Sequence, residues 1–198
     1  MEVNEPIAVY GKKKFTTEEF LEFEEASPER HEFFRGEIFA MSGAKLPHSI
    51  ISVNLLTELR QKLKGKNCRP FNNDLRIHIP SIELFTYPDI SIVCGNPETR
   101  NNDNLNLLNP SIIIEVLSPS TKNYDRGEKF DFYRQIPSFR EYILVDAVTV
   151  HMEIRLRGYD RQWTSRDFKN SADVVEILSA QISIPLKDIY ADTGLITV

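Results

Sequence analysis

Two acidic side chains stand where a carboxylate is costly. Asp89 opens the run Pro88-Asp89-Ile90-Ser91-Ile92-Val93, and Glu115 interrupts Ile112-Ile113-Ile114-Glu115-Val116-Leu117. An ionised carboxylate in an apolar strand is strongly disfavoured unless a cation, a metal ion or several hydrogen-bond donors meet it. The two acids lie 26 positions apart, which suits neighbouring strands joined by a loop. If those strands pair, both carboxylates can converge on one divalent cation. Oxygen ligands suit Mg2+ or Mn2+, and a metal so held activates water and stabilises charge developing on a phosphate. The plain alternatives are an Asp89 that serves a turn after Pro88 and a Glu115 closed in a buried salt bridge.

The elements that must carry these acids can be read from spacing. Thr16 followed by Glu19 fits a capping box, so a helix is expected over about 17–26, stopped by Ser27-Pro28. His31 to Met41 alternates around Arg35-Gly36-Glu37 and reads as a hairpin. From His48 to Leu63, Ile51, Leu55, Leu56, Leu59 and Leu63 recur at spacings of three and four, the strongest helical signal in the chain. Strands are expected at 68–71, 74–79, 89–93 and 111–117, with Gly95 to Pro110 as an irregular connection. A second long helix is expected over about 122–135. After it come a hairpin of 141–146 with 149–157, strands at 158–166 and 174–178, and a helical turn from Pro185 to Tyr190. Helix, strands, helix, strands predicts an α/β or α+β fold with a mixed central sheet flanked by helices.

Composition narrows the class. The 198 residues fit one domain, with 41% hydrophobic and 27% charged residues, ordinary for a soluble globular chain. No apolar stretch approaches the roughly 20 residues that span a bilayer. The start, Met1-Glu2-Val3-Asn4-Glu5-Pro6, lacks the basic and apolar segments of a signal peptide, so a cytoplasmic protein without a membrane role is expected. Cys68 and Cys94 have no zinc-type spacing and read as buried free thiols. The net charge of −5 argues against non-specific coating of nucleic acid but leaves room for a local basic groove. There is no phosphate-binding Gly-Lys-Ser/Thr loop, nucleophile elbow, paired-His zinc motif or dinucleotide turn, and the four histidines form no cluster.

Tyr87-Pro88-Asp89, then Glu115-Val116-Leu117-Ser118-Pro119-Ser120-Thr121, then Asp125-Arg126-Gly127-Glu128-Lys129 through Tyr133, and Glu141-Tyr142-Ile143-Leu144-Val145-Asp146 resemble the Uma2 (DUF820) family of restriction-endonuclease-like proteins. The likeness extends from Phe15-Thr16-Thr17-Glu18-Glu19-Phe20, through Arg35-Gly36-Glu37-Ile38 and Met41-Ser42-Gly43, to Ile184-Pro185-Leu186. The resemblance implies the PD-(D/E)XK nuclease core, a single such domain over 1–198, and Asp89 and Glu115 as metal ligands with the Val116 main-chain carbonyl beside them. It also implies a lysine two residues after the second acid, where this chain has Leu117.

Lys129 is the best substitute, since it shares a helical stripe with Phe130, Tyr133 and Ile136. The alternative is a Lys129 that snorkels to water and pairs with Asp125. Glu37 matches the acid of the family's Gly-Glu motif and is expected as a further ligand or water-orienting group, with a solvated turn carboxylate as the alternative. His48 matches a frequent family histidine and reads as a proton shuttle or phosphate contact, or as a structural helix-start residue. Asp74 and Arg76 precede Asp89 and are expected to point towards the site. Ser118, Lys122 and Arg126 are expected to meet substrate phosphate, against an ordinary ion-paired helix surface. The reading is therefore a Mg2+- or Mn2+-dependent endonuclease acting on DNA. A non-catalytic module that keeps the fold and binds nucleic acid or protein is the second reading, and a homodimeric interaction protein the third.

Overall fold

The computed structural model describes residues 14–41 and 43–196. The chain start and Ser42, both used above, lie outside the described residues. In chain order the elements are helix α1 (Thr17–Ala26), strands β1 (His31–Phe34) and β2 (Glu37–Ala40), helix α2 (Leu46–Lys62), and strands β3 (Cys68–Asn72), β4 (Arg76–Ile79), β5 (Leu84–Thr86), β6 (Ile90–Cys94), β7 (Asn106–Leu107) and β8 (Ile112–Leu117). Helices α3 (Lys122–Arg126) and α4 (Glu128–Tyr133) follow, then β9 (Glu141–Asp146), β10 (Met152–Arg157), β11 (Trp163–Phe168), β12 (Val174–Ile177), β13 (Ile182–Pro185) and helix α5 (Leu186–Ile189).

A six-stranded mixed sheet runs β11-β10-β9-β8-β6-β3, with β8 and β9 parallel and its other pairs antiparallel. A five-stranded sheet runs β2-β1-β5-β4-β7, and β12-β13 form a separate ribbon. This is the mixed α+β architecture that the alternation of elements predicts, with one large sheet, a second smaller one and flanking helices.

Strand alternation divides the core. Ile112, Ile114, Val116, Ile143 and Val145 face α2, the ribbon and α5, where Ile51, Leu55, Leu59, Ile184 and Ile189 cover them. Ile113, Leu117, Tyr142 and Leu144 face the opposite way, packing with Tyr133 and Ile136 and with Ile77, Ile79 and Leu84 of the smaller sheet. Glu115 belongs by its odd number to this second face, so its carboxylate projects into the layer between the two sheets.

Local chemistry explains the well-placed elements. Thr16 accepts the Glu19 N–H at 3.1 Å while the Glu19 carboxylate accepts the Thr16 N–H at 2.9 Å, completing the capping box of α1. Phe20 then docks on Phe33 and Phe85, with ring centroids 4.8 and 5.4 Å away. The β1–β2 turn needs Gly36: its φ is +85°, and a Cβ there would lie 2.9 Å from the Lys14 side chain and 3.2 Å from the Phe15 carbonyl.

Several sequence expectations are corrected. Cys68 and Cys94 are not free thiols but a disulfide, because antiparallel register places them directly opposite, with Cα atoms 4.0 Å apart. The helix expected over 122–135 is broken at Gly127, whose backbone (φ −108°, ψ −93°) leaves the helical region between α3 and α4. The strand expected from Gly158 begins only at Trp163, since residues 158–162 form the hairpin turn from β10. Strands β5 and β7, of three and two residues, are too short for periodicity to reveal. No helix among the described residues is long and apolar enough to cross a membrane.

Candidate active site

The parallel β8–β9 pair and the antiparallel β6–β8 pair fix the two acids. Ile90 lies opposite Ile114, so Asp89, just before β6, falls beside Glu115. The Asp89 N–H points to the Glu115 Oε2 at 3.3 Å, and the Val116 N–H donates to the Asp89 Oδ2 at 2.7 Å. Backbone pairing thus holds the two carboxylates together without either neutralising the other.

The cation comes from α4. Lys129 Nζ lies 3.1 Å from the Glu115 Oε1, 3.5 Å from the Glu32 Oε1 and 3.6 Å from the Asp125 Oδ1. Lys129 reaches the motif acid and also makes the i−4 ion pair of the alternative reading, whose other half fails. It does not snorkel to water, being 7% exposed. Gly127 is what permits this, since the break lets α3 bring Asp125 in while α4 re-aims Lys129 and Tyr133. The Tyr133 hydroxyl donates to the Glu115 Oε1 at 2.8 Å. Leu117, at the position where the family pattern has lysine, is packed in the apolar layer.

Charge does not balance here. Four carboxylates, Glu32, Asp89, Glu115 and Asp125, surround one lysine and one histidine. Burial raises the Glu115 pKa, Lys129 opposes it, and the Asp125 and Asp89 charges push it up again. Burial likewise raises Asp125 against the pull of Lys129. Burial alone would depress Lys129, but Glu115, Glu32 and Asp125 hold it well above the usual lysine range, so it remains an ammonium. The surplus negative charge is an environment that a further cation would stabilise.

His48, in the first turn of α2, sits at the rim. Its Nε2 is 3.3 Å from the Asp89 Oδ2, and both side chains are 17% exposed, against 5% for that of Glu115. Burial lowers the His48 pKa, but the Asp89 carboxylate and the more distant Asp125 outweigh it, so the imidazole is easier to protonate than a free one.

Other candidates lie elsewhere. The Glu37 carboxylate takes the Lys14 ammonium at 2.6 Å on an exposed corner and does not join the cluster. Arg76 is buried in a second polar group, donating to the Asn106 Oδ1 at 2.6 Å and the Tyr87 hydroxyl at 3.1 Å, with Glu24 at 3.9 Å. Asp74 lies in the turn before β4 and pairs with Arg30 and Asn72. Arg126 is ion-paired with Glu153, the ordinary helix-surface alternative. Ser118 is half-buried and bonded to Ser120 and Thr121, at 2.9 and 3.0 Å, and Lys122 is exposed at the start of α3.

Sequence reasoning missed Glu32. It lies on β1, with Thr86 donating to its Oε1 and the Tyr87 N–H 3.4 Å away. Its signal is the one Glu115 carries, an acid in an apolar setting: Glu32 stands beside Phe33 and Phe34 on a short strand.

Metal fit can be judged from the donors. Among the described residues no three His, Cys, Asp or Glu side chains form a ready-made cation cage. Asp89 and Glu115, the two carboxylates that the strand register brings together, are oxygen donors of the kind a hard ion that keeps waters would take.

The uncharacterized protein slr1290 of Synechocystis is 37% identical over 177 residues, covering 89% of this chain and 92% of that protein. The uncharacterized protein sll1609 of the same organism is 36% identical over 151 residues, covering 76% and 85%. A crystal structure from Anabaena variabilis, of "a putative nuclease belonging to DUF820", superposes with a TM-score of 0.71 at 21% identity, covering 89% of this chain and 98% of that one, and so shares the fold. The Uma2 family, described as "Putative restriction endonuclease", matches residues 17–187. With that match spanning all the elements that build the acidic cluster, the chain belongs to the Uma2 family.

Proposed function

We propose that this protein is a metal-dependent endonuclease that hydrolyses phosphodiester bonds in DNA. The observation that carries the reading is the meeting of Asp89 and Glu115 with Lys129 in one buried, over-acidic site. Asp89, Glu115 and the Val116 carbonyl would hold Mg2+ or Mn2+, which supplies a Lewis acid for the phosphate and a more acidic water. Lys129 offsets part of the burial cost of the Glu115 carboxylate and places positive charge beside the scissile phosphate. His48, with its proton favoured by Asp89, protonates the leaving oxygen at the rim. Glu32 and Tyr133 fix the Lys129–Glu115 pair in place.

Nicking of supercoiled plasmid in Mg2+ or Mn2+, with Glu115→Ala purified in parallel, tests this. Metal-dependent nicking by the parent alone is expected. Equal nicking by both, or none by either, would overturn the enzyme reading in favour of a nuclease-fold binding module.

A further inference from the structure

Of the cations that sequence reasoning assigned to substrate, Arg76 and Arg126 are consumed by internal partners, and Lys122 is exposed at the start of α3. A different group of arginines is left with little counter-charge. Three elements bring them together at the far end of α4. Arg157 closes β10 opposite Trp163 of β11, and its N–H donates to the Arg140 carbonyl at 2.9 Å. Arg161 lies in the turn between those strands, its N–H on the Gly158 carbonyl at 3.0 Å. Arg134 follows α4, with its guanidinium 5.6 Å from the Phe130 ring centre. The half-buried Trp163 ring, 5.0 Å from Phe130 and 5.3 Å from Phe139, forms the floor. Tyr159 stands fully exposed beside them.

Partners for these charges are few. Arg134 pairs with Asp131 at 3.1 Å. The Arg140 guanidinium meets only carbonyls, those of Pro137 at 3.0 Å and Phe139 at 3.4 Å. Arg157 and Arg161 have no carboxylate within ion-pair distance among the described residues, and the Asp160 carboxylate is turned onto the Gln162 N–H at 3.0 Å. Slight burial and the fields of Arg140, Arg161 and Arg134 all act in one direction on Arg157, lowering its pKa. Arg161 also has a φ of +66°, a left-handed conformation that glycine or asparagine would adopt at less cost. A chain of net charge −5 thus gathers four guanidiniums at one end and supplies one ion-pairing acid.

We propose that this surface docks a phosphodiester backbone, with Arg140, Arg157 and Arg161 each meeting a phosphate and Tyr159 offering a face on which an unpaired base can stack. Guanidinium is the group whose planar fork matches phosphate oxygens. The proposal rests on the nuclease reading for its choice of polyanion. The link to the site is α4 itself. Lys129 lies in the acidic cluster, and Arg134 is five residues, about 7.5 Å of helix rise, further on. In the parallel β8–β9 pair Arg140 lies level with Ser111, four residues or about 13 Å of strand from Glu115, so a backbone held at Glu115 would reach the arginines after about four nucleotides or more.

The test is equilibrium binding of a fluorescein-labelled DNA duplex in EDTA, followed by anisotropy across a salt series. The full chain would be compared with Arg140→Gln/Arg157→Gln/Arg161→Gln and with Arg60→Gln/Lys64→Gln/Arg69→Gln, a control that removes three cations near the end of α2. Loss of three phosphate contacts lowers the slope of log K against log salt by about 2.7, at roughly 0.9 per contact. The arginine variant should show that loss and bind at least about tenfold more weakly at low salt, while the control keeps the parent slope. The arginine variant should also melt close to the parent, since relief of mutual repulsion offsets the loss of the Arg140 bonds to the Pro137 and Phe139 carbonyls. An unchanged slope, a loss confined to the α2 control, or a parent that does not bind would overturn the proposal. Nicking that depends on Glu115 together with a slope indifferent to these arginines would sink this inference alone; the converse pair of results would sink the enzyme alone.

Discussion

Replacing Lys129 by methionine removes the one ammonium that faces three buried carboxylates. In the parent its Nζ lies 3.1 Å from Glu115, 3.5 Å from Glu32 and 3.6 Å from Asp125. Methionine keeps most of the volume, so the cost is electrostatic. Breaking a buried pair by deleting one partner costs about 3–5 kcal/mol, a large share of the roughly 5–15 kcal/mol that holds a domain folded. With a urea m-value of about 2–3 kcal/mol/M, the midpoint should fall by about 1–2.5 M at neutral pH. The sign with pH follows from the carboxyls. Burial already raises Glu115 and Asp125, and without Lys129 their folded pKa values rise further above the unfolded ones. A carboxyl raised in this way releases its proton more readily from the unfolded chain, so the variant loses stability as pH climbs from about 4.5 towards those raised values. Below about pH 4.5 the carboxyls are protonated in both states and most of the penalty vanishes. Urea melts of parent and variant at mildly acidic and neutral pH measure it. A deficit equal at both pH values, or absent at neutral pH, would refute the view that Lys129 serves as the counter-charge.

Two further perturbations probe the frame around the site. The Cys68–Cys94 bridge spans 26 positions, a loop whose closure entropy corresponds to about 3.5 kcal/mol on the chain-entropy account; Cys68→Ala/Cys94→Ala should lose on that order in urea melts, and a loss under about 1 kcal/mol would contradict it. His78 stacks on Phe85 at 4.0 Å with its Nδ1 buried and unpartnered, and burial with help from Arg100 and Arg76 lowers its pKa to about 4. Its neutral form is favoured in the fold, so its contribution is complete above about pH 6.5 and is lost as pH falls towards 4, by about 2 kcal/mol after allowing for partial solvation; an imidazole titrating near 6.5 by proton NMR would contradict this.

Local chemistry wrote much of the fold into the sequence. The capping box set α1 at Thr17–Ala26, the three-and-four spacing drew α2, and the glycine turn drew the β1–β2 hairpin. These depend on residues a few positions apart, which is what sequence patterns record. The two costly acids, Asp89 and Glu115, were also legible, because burial of charge shows as a violation of an apolar run. What tertiary structure alone decided is who meets them. Glu32 lies 83 positions before Glu115 in the chain and joins the cluster only because β1 pairs with β5 and the two sheets share one apolar layer. The pairing of Cys68 with Cys94 needed the β3–β6 register, which no local spacing encodes. Lys129 was nameable as a candidate, but its direction depended on the backbone break at Gly127. Arg76 and Arg126 looked available as single residues and were claimed by Asn106, Tyr87 and Glu153, between 11 and 30 positions away in the chain. The sequence marks which charges are costly. Only the packing of distant elements settles which partner meets each of them, because a charge's energy depends on everything within a few ångströms of it and not on its neighbours along the chain.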